Sequence, residues 1–456
     1  MNLAMRRAAR GRIIPAPLRR IMTKPAGPAV DKTVGYWLLG CGGMVAGMVA
    51  VGGLTRLTKS GLSMTEWNLT GRKPPWTHED WVLEFDRYKT FPEWQQRQSM
   101  TLDEFKTIFW WEYGHRQLGR TVGVAFGVPL AYFLFKGRIP AHLKGRMAAL
   151  FALGGTQGLV GAWMVQSGLD MDPTQRREIR VSPYRLATHL GLAFTTYTLL
   201  LWTALDVLQP KQRALAALSS VPPSLMPRLA ALRGGSVLTA GLVFTTAMSG
   251  AFVAGNDAGR AFNTFPTMDG DWVPPGALEL EPLWRNAFEN TAAVQFDHRV
   301  LALASTSSVA ATLALAFQPL KSAVAKAATA AAAGAGAKGA QAIQMLPSAS
   351  SPSSAAAIWR HLPVVTRGAL AGMGGMVVVQ VCLGVSTLLL YVPVELAAAH
   401  QLGSLVLLSF STLAAHSLRG VAFSTVPVAV AGIGALSVPV AALCLSASNE
   451  AHGISK

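Results

Sequence analysis

Eight apolar runs organise the chain, near 34–54, 117–136, 147–167, 186–207, 236–255, 299–318, 366–389 and 396–417. Each is close to the roughly 20 residues that a bilayer-crossing helix needs. Small residues recur four apart in Gly43/Gly47, Gly154/Gly158 and Gly368/Gly372, a spacing that lets helix backbones approach closely in lipid. The pattern predicts an all-α integral membrane protein with eight transmembrane helices packed together. A ninth apolar run, 421–447, reads either as another span or as a surface-lying tail.

The connections are not alike. The 55–114 stretch carries Trp67, Trp76, Trp81, Trp94, Trp110 and Trp111, which predicts order near a membrane interface. Within it, Thr101 with Glu104 three residues later, ahead of FKTIFWWEY, reads as a capping box opening a helix. Residues 321–357 are an Ala/Gly/Ser insert that includes AKAATAAAAGAGAKGA. Such a composition cannot build a packed core and predicts a flexible linker.

Composition agrees with the pattern. Of 456 residues, 51% are hydrophobic and 14% charged, the latter roughly half the usual quarter. That charge cannot cover a water-soluble surface of this size, and a disordered chain is excluded. Three cysteines exclude a disulfide scaffold. The net charge of +17 could suggest nucleic acid, but there is no basic helix interleaved with aromatics and no finger or RNP-like motif.

The bases lie instead in alternate connections: Lys136, Arg138, Lys144 and Arg146; Lys211, Arg213, Arg228 and Arg233; Lys321, Lys326, Lys338, Arg360 and Arg367. The connection 256–299 carries seven acids and three bases. Lys/Arg excess marks the inner side, so the N-terminus is inside and the 55–114 loop outside. Residues 1–30 hold seven bases and no acid, without an apolar segment of secretory type. This start resembles a mitochondrial transit peptide, the alternative being a basic cytoplasmic tail. With a mitochondrial leader, the inner side is the matrix.

The halves echo one another. EYGHRQLGR at span 2 parallels QFDHRVLAL at span 6, and ATHLG at span 4 parallels AAHQLG at span 8. GGLTRLTKSGLSMTEW after span 1 has a weaker echo in GAFVAGNDAGRAFNTF after span 5. His115 and His189 are 74 residues apart, His298 and His400 102, and the excess of 28 approaches the insert's length. The predicted organisation is a basic leader 1–33, a four-helix bundle 34–208, an inner-side linker 209–235, a duplicated four-helix bundle 236–418 containing the insert, and an apolar tail 419–456.

Nine histidines are present. His78, His142, His361, His416 and His452 fall in loops, at span ends or in the tail. The other four, His115, His189, His298 and His400, each open an even-numbered span, which puts all four at similar depth on the outer side. A single intramembrane histidine is more often a hydrogen-bonded structural residue; four in a repeated frame reverse that balance. Two neutral imidazoles facing one another across a four-helix bundle suit the axial positions of a haem iron. Zinc fits less well, because a closed site wants four ligands and no Cys lies nearby. Cys41, Cys382 and Cys444 sit in apolar segments and read as buried small hydrophobes.

Arg116 and Arg299 directly follow two of the histidines. Their guanidinium forks match haem propionates, although an arginine snorkelling at a helix end reads equally well. Glu112 lies three residues before His115, on the same face if the helix begins in the outer loop. Its counterpart is Gln295. One bundle thus has an acid beside its iron ligand and the other does not, as a reactive site and an electron-relay site would. An interfacial Glu making a helix-terminus contact is the other reading.

Taken in order on eight spans, GGLTRLTKSGLSMTEW, EYGHRQLGR, ATHLG, QFDHR and AAHQLG resemble haem A synthase, in the version of mitochondria and α-proteobacteria, over about residues 34–418. The resemblance implies an oxidoreductase that turns the ring methyl of haem O into a formyl group by successive hydroxylations, giving haem A for cytochrome c oxidase. It implies haem b as prosthetic group on His298 and His400, substrate haem on His115 and His189, and an acid important for turnover at Glu112. It also implies a multi-pass protein of the mitochondrial inner membrane, with the histidines near the intermembrane space. Implied partners are haem O synthase, cytochrome oxidase assembly factors, an electron-transfer protein of ferredoxin or other type, membrane lipid and a second copy of the chain.

Some relatives carry an outer-loop Cys pair; no outer loop here contains Cys, so a thiol–disulfide role is in doubt. The insert and the apolar run after residue 420 fall outside the usual pattern. A bis-haem cytochrome b-type electron carrier would explain the histidines but not the unmatched Glu112. A transporter built on a repeat would need ionisable groups at mid-membrane depth, which the spans lack.

Overall fold

The structure, a computed structural model, describes residues 31–171, 179–317 and 359–422, apart from 65, 69 and 220. Residues 1–30 of the leader, the insert 321–357 and residues 423–447 of the apolar run lie outside the described residues. Ten helices carry the architecture: α1 (Lys32–Leu57), α2 (His78–Tyr88), α3 (Leu102–Phe135), α4 (Ala141–Leu169), α5 (Pro183–Leu208), α6 (Lys211–Leu218), α7 (Met226–Gly255), α8 (Thr291–Phe317), α9 (Val364–Leu389) and α10 (Val394–Ser417). All except α2 and α6 are long and apolar enough to cross a membrane, so the eight expected spans are present. Large apolar side chains such as Phe135, Leu159, Val364 and Val378 point outward, as a lipid-facing surface requires.

Packing follows the buried stripes. On α1, Val34, Leu38, Cys41, Val45 and Val49 recur at three- and four-residue steps and are all buried, the spacing of one helix face. That face meets α3 and α5, while α4 packs on α5 and touches α3. In the second half α7 packs on α8 and α10, and α9 on α10 and α8. The two sets of four meet where α1 and α5 face α7 and α10. The stretch 209–235, read above as a linker, carries α6, whose Leu215 and Leu218 are buried.

The helix that bears Glu112 and His115 begins earlier than its apolar run, at Leu102. Its start is fixed by the predicted capping box: Thr101 Oγ1 accepts from Glu104 N, and the Glu104 carboxylate accepts from Thr101 N. A second box, Thr77 with Asp80, starts α2 and had no apolar run to announce it. Between them Trp81, Phe85, Tyr88, Phe105 and Phe109 form an aromatic cap. The tryptophans therefore mark order, as expected, although Trp67, Trp76 and Trp110 are exposed.

Two expectations are corrected. Five of the six paired glycines are not close-approach points: a Cβ at Gly43, Gly47, Gly154, Gly158 or Gly368 would meet no atom within 4 Å. Only at Gly372 would a Cβ run into a neighbour, Phe410. Spacing puts two glycines on one face without saying which way that face turns, and in lipid both faces are equally apolar. Cys382 is exposed rather than buried, whereas Cys41 is buried; an apolar span accepts a thiol on either side.

Candidate functional site

All four histidines lie toward the same end of the helices. His115, His189, His298 and His400 sit on α3, α5, α8 and α10, and each ring rests against a glycine near the C-terminal end of the preceding membrane helix. A Cβ at Gly52 would stand 2.9 Å from His115 Cε1, at Gly161 3.2 Å from His189 Cε1, at Gly250 3.2 Å from His298 Cε1 and at Gly384 2.8 Å from His400 Cε1. One turn earlier, Gln157 Nε2 donates to His189 O and Gln380 Nε2 to His400 O, both at 2.9 Å. The signal for this Gln-x-x-x-Gly arrangement was in the sequence, at matching places in spans 3 and 7, and the sequence reading did not use it.

These seats yield a direct expectation. Gly384→Ala or Gly52→Ala would push the facing ring by several tenths of an ångström. If the pairs hold haem, as the resemblance implies, purified variants should keep their helix content while losing haem from the site concerned. Unchanged haem stoichiometry in both variants would show that the seats do not position the rings.

The rings of His298 and His400 face one another with centroids 6.3 Å apart and planes at 81°. Two imidazoles on opposite sides of one metal, each about 2 Å from it, hold their centres roughly 6 Å apart. His115 and His189 stand on α3 and α5, seated against Gly52 and Gly161. Nδ1 of His115, His189 and His400 is buried without a hydrogen-bond partner, a cost that polar groups seldom bear away from functional sites. Among the described residues no three His, Cys, Asp or Glu side chains converge on a common point. Two-imidazole sites suit a metal that brings its remaining ligands with it, as haem iron does. The residues fit that group.

Around the first pair the polar contacts form a tight set. Glu112 is 2% exposed. Its Oε2 accepts from Ser63 Oγ at 2.6 Å and Met64 N at 2.9 Å, and its Oε1 from Arg116 Nη2 at 2.5 Å. Arg116 also donates to Met64 O (2.6 Å) and Glu66 O (2.8 Å), and its guanidinium lies 4.8 Å from the centre of the Trp67 ring. Beyond this set, Tyr88 donates to Glu93 Oε2 at 3.0 Å, and Arg97 lies 3.5 Å from Glu93 Oε1. Burial raises the Glu93 carboxyl above its ordinary range, against the pull of Arg97.

The second pair repeats the scaffold with the opposite polarity. Gln295 Nε2 donates to Ala258 O and Ala261 O, while its Oε1 accepts from Arg299. Arg299 also donates to Phe262 O, Thr264 O, Pro266 O and Thr267 O. Each arginine, expected at a propionate, thus has donors engaged by the carbonyls of the loop that follows the preceding membrane helix. Five donors in a rigid fork serve a carbonyl-lined turn as well as a carboxylate.

Sequence reading passed over a further cluster at the opposite end. His416, taken as a span-end residue, is fully buried, with Nε2 3.0 Å from Asp206 Oδ1. Arg146 and Arg419 approach the same carboxylate at 2.6 and 3.4 Å. Asp206 and His416 lie 210 positions apart, so no local pattern could join them.

The family model described as "Cytochrome oxidase assembly protein" (COX15-CtaA) matches residues 35–345 and 351–412. "Heme A synthase COX15" of Arabidopsis thaliana is 43% identical over 86% of this chain and 76% of its own length. The protein of that name from Homo sapiens is 41% identical over 86% and 84%. "Heme A synthase" of Nitrosospira multiformis is 42% identical over 86% and 95%. With the family model spanning nearly all of the eight-helix region and relatives from plant, animal and bacterium aligned along most of their lengths, the chain belongs to the COX15-CtaA family of cytochrome oxidase assembly proteins.

Proposed function

We infer that the chain is a haem A synthase, an oxidoreductase that oxidises the ring methyl of haem O to a formyl group through successive hydroxylations. The observation that carries this reading is an asymmetry inside a repeated frame. Two imidazole pairs share the same glycine seats, but three residues before the α3 ligand stands a buried carboxylate, Glu112, where the second half has Gln295. His115 and His189 are the ligands of the substrate haem, and His298 and His400 those of a resident haem b. When bound, haem b supplies one-electron transfer.

The protein's own groups do the rest. Glu112 holds a negative charge within one helical turn of His115. A carboxylate has about four acceptor positions; three are filled by Ser63, Met64 N and Arg116. The remaining one can stabilise or deprotonate a species forming at the substrate methyl, or orient a water there. Arg116 and Arg299 keep the outer loops folded over the two pairs. The positive-inside bias puts the histidine end at the intermembrane space and the Asp206 end in the matrix. The reading calls for an electron-transfer partner, a haem O synthase upstream and cytochrome oxidase assembly factors downstream.

Pigment extracted from the purified full-length chain tests the assignment. Haem b with traces of haem O or haem A is expected; haem b alone would favour the electron carrier, and no haem would end the proposal. Complementation of a haem A-deficient strain then separates the sites. His115→Ala and His298→Ala should both abolish haem A, and only His298→Ala should strip the resident haem b.

A further inference from the structure

The ring nitrogens of the four histidines are not treated alike. Three Nδ1 atoms are buried and unpartnered, but His298 Nδ1 lies 2.8 Å from Ser249 Oγ. Ser249 is the residue before Gly250, the seat of the same ring. The helices that carry the two residues are fixed by further hydroxyl pairs, Thr246 with Ser305 and Thr239 with Ser308, each at 2.8 Å. The contact is therefore held by the α7–α8 interface rather than by a mobile side chain.

Ser249 Oγ has a second partner that bears on the direction of this contact. A serine has one O–H to give, and that of Ser249 is donated to Thr246 O at 2.8 Å. With its O–H on that carbonyl, the oxygen accepts from His298, and in this arrangement Nδ1 carries the hydrogen and the Nε2 lone pair is free. The equivalent of Ser249 in the first half is Val51, which precedes the seat of His115 and has no polar side-chain atom.

We propose that Ser249 is a positioning residue for the second site: it locks His298 in the tautomer that binds iron through Nε2 and, by accepting its Nδ1 hydrogen, sets the potential of the haem held there. The inference rests on the assignment of His298 and His400 to haem b. A ligand imidazole that donates its other N–H becomes more basic, which favours ferric over ferrous iron and lowers the potential. Val51 leaves His115 without this anchor, consistent with a site that must release its product.

The test is a redox titration of the full-length protein and three variants, followed by the absorbance of bound haem b. Ser249→Ala and Ser249→Val should retain a bis-imidazole spectrum with the midpoint of this haem moved upward. Ser249→Thr, which has the shape of valine but keeps a hydroxyl, should titrate with the parent. Loss of haem from Ala and Val but not Thr would equally support the hydroxyl's role. A parental midpoint in Ala and Val, or loss of haem from all three alike, would overturn it. Parent protein without haem b would instead refute the underlying assignment, and this inference with it.

Discussion

Glu112→Gln is expected to leave a folded, haem-loaded protein whose haem A output falls by about 10²–10³-fold, with haem O or a hydroxylated intermediate accumulating. The reason lies in the direction of every hydrogen bond around the carboxyl group. Ser63, Met64 N and Arg116 all donate to it, so one amide N–H₂ in place of an oxygen must face a donor. Glutamine suits the second half because Ala258 and Ala261 present carbonyl oxygens there. The substitution thus removes the charge beside His115 and loosens the 63–66 turn, while leaving the imidazoles in place. Haem analysis of cells complemented by the variant is the measurement. An unchanged yield of haem A would show that the charge takes no part in turnover.

The second large effect is on stability, at the far end of the helices. Arg419 Nη1 lies 3.0 Å from His416 Nδ1. An arginine can only donate, so His416 accepts through Nδ1 and gives its Nε2 hydrogen to Asp206. The imidazole is neutral, and the one negative charge of Asp206 answers two guanidinium groups. Asp206→Ala removes the acceptor shared by Arg146 and Arg419 and leaves the buried His416 N–H unpaired at a junction between the halves, and should cost about 1–3 kcal/mol. Asp206→Asn keeps an acceptor for His416 and should cost less. Unfolding in denaturing detergent, followed by helix content, would rank parent, Asn and Ala in that order. Equal midpoints would mean that this cluster adds nothing to the junction between the halves.

The spans and the histidine frame were legible because lipid imposes a coarse rule, and long apolar runs broken at fixed places by an ionisable residue survive any register error. The capping box at Thr101 was legible for a different reason, being complete within four residues. The glycine seats were half legible: the repeated Gln-x-x-x-Gly stood in spans 3 and 7, but a glycine in an apolar helix does not declare which face it occupies, and the paired glycines that the sequence did single out mostly face open space. Arg116 and Arg299, next to His115 and His298, were read for charge, and the structure uses them for their number of donors. Ser249 and His416 escaped notice because their meaning depends on where a single hydrogen goes, which only a three-dimensional set of partners determines.

Helix α1 has one more consequence. Gly52 is the seat of His115, and a Cβ on its neighbour Gly53 would stand 2.8 Å from Gln401 Oε1, in the side chain next to His400. Gln401 in turn donates to Val49 O of the same helix at 3.0 Å. On the proposed assignment, α1 forms part of the boundary between the two sites, and at residues 52 and 53 it presents no side chain to either. A side chain added at either glycine would press on the neighbourhood of a different histidine pair, so the two sites share one constraint on this stretch of α1.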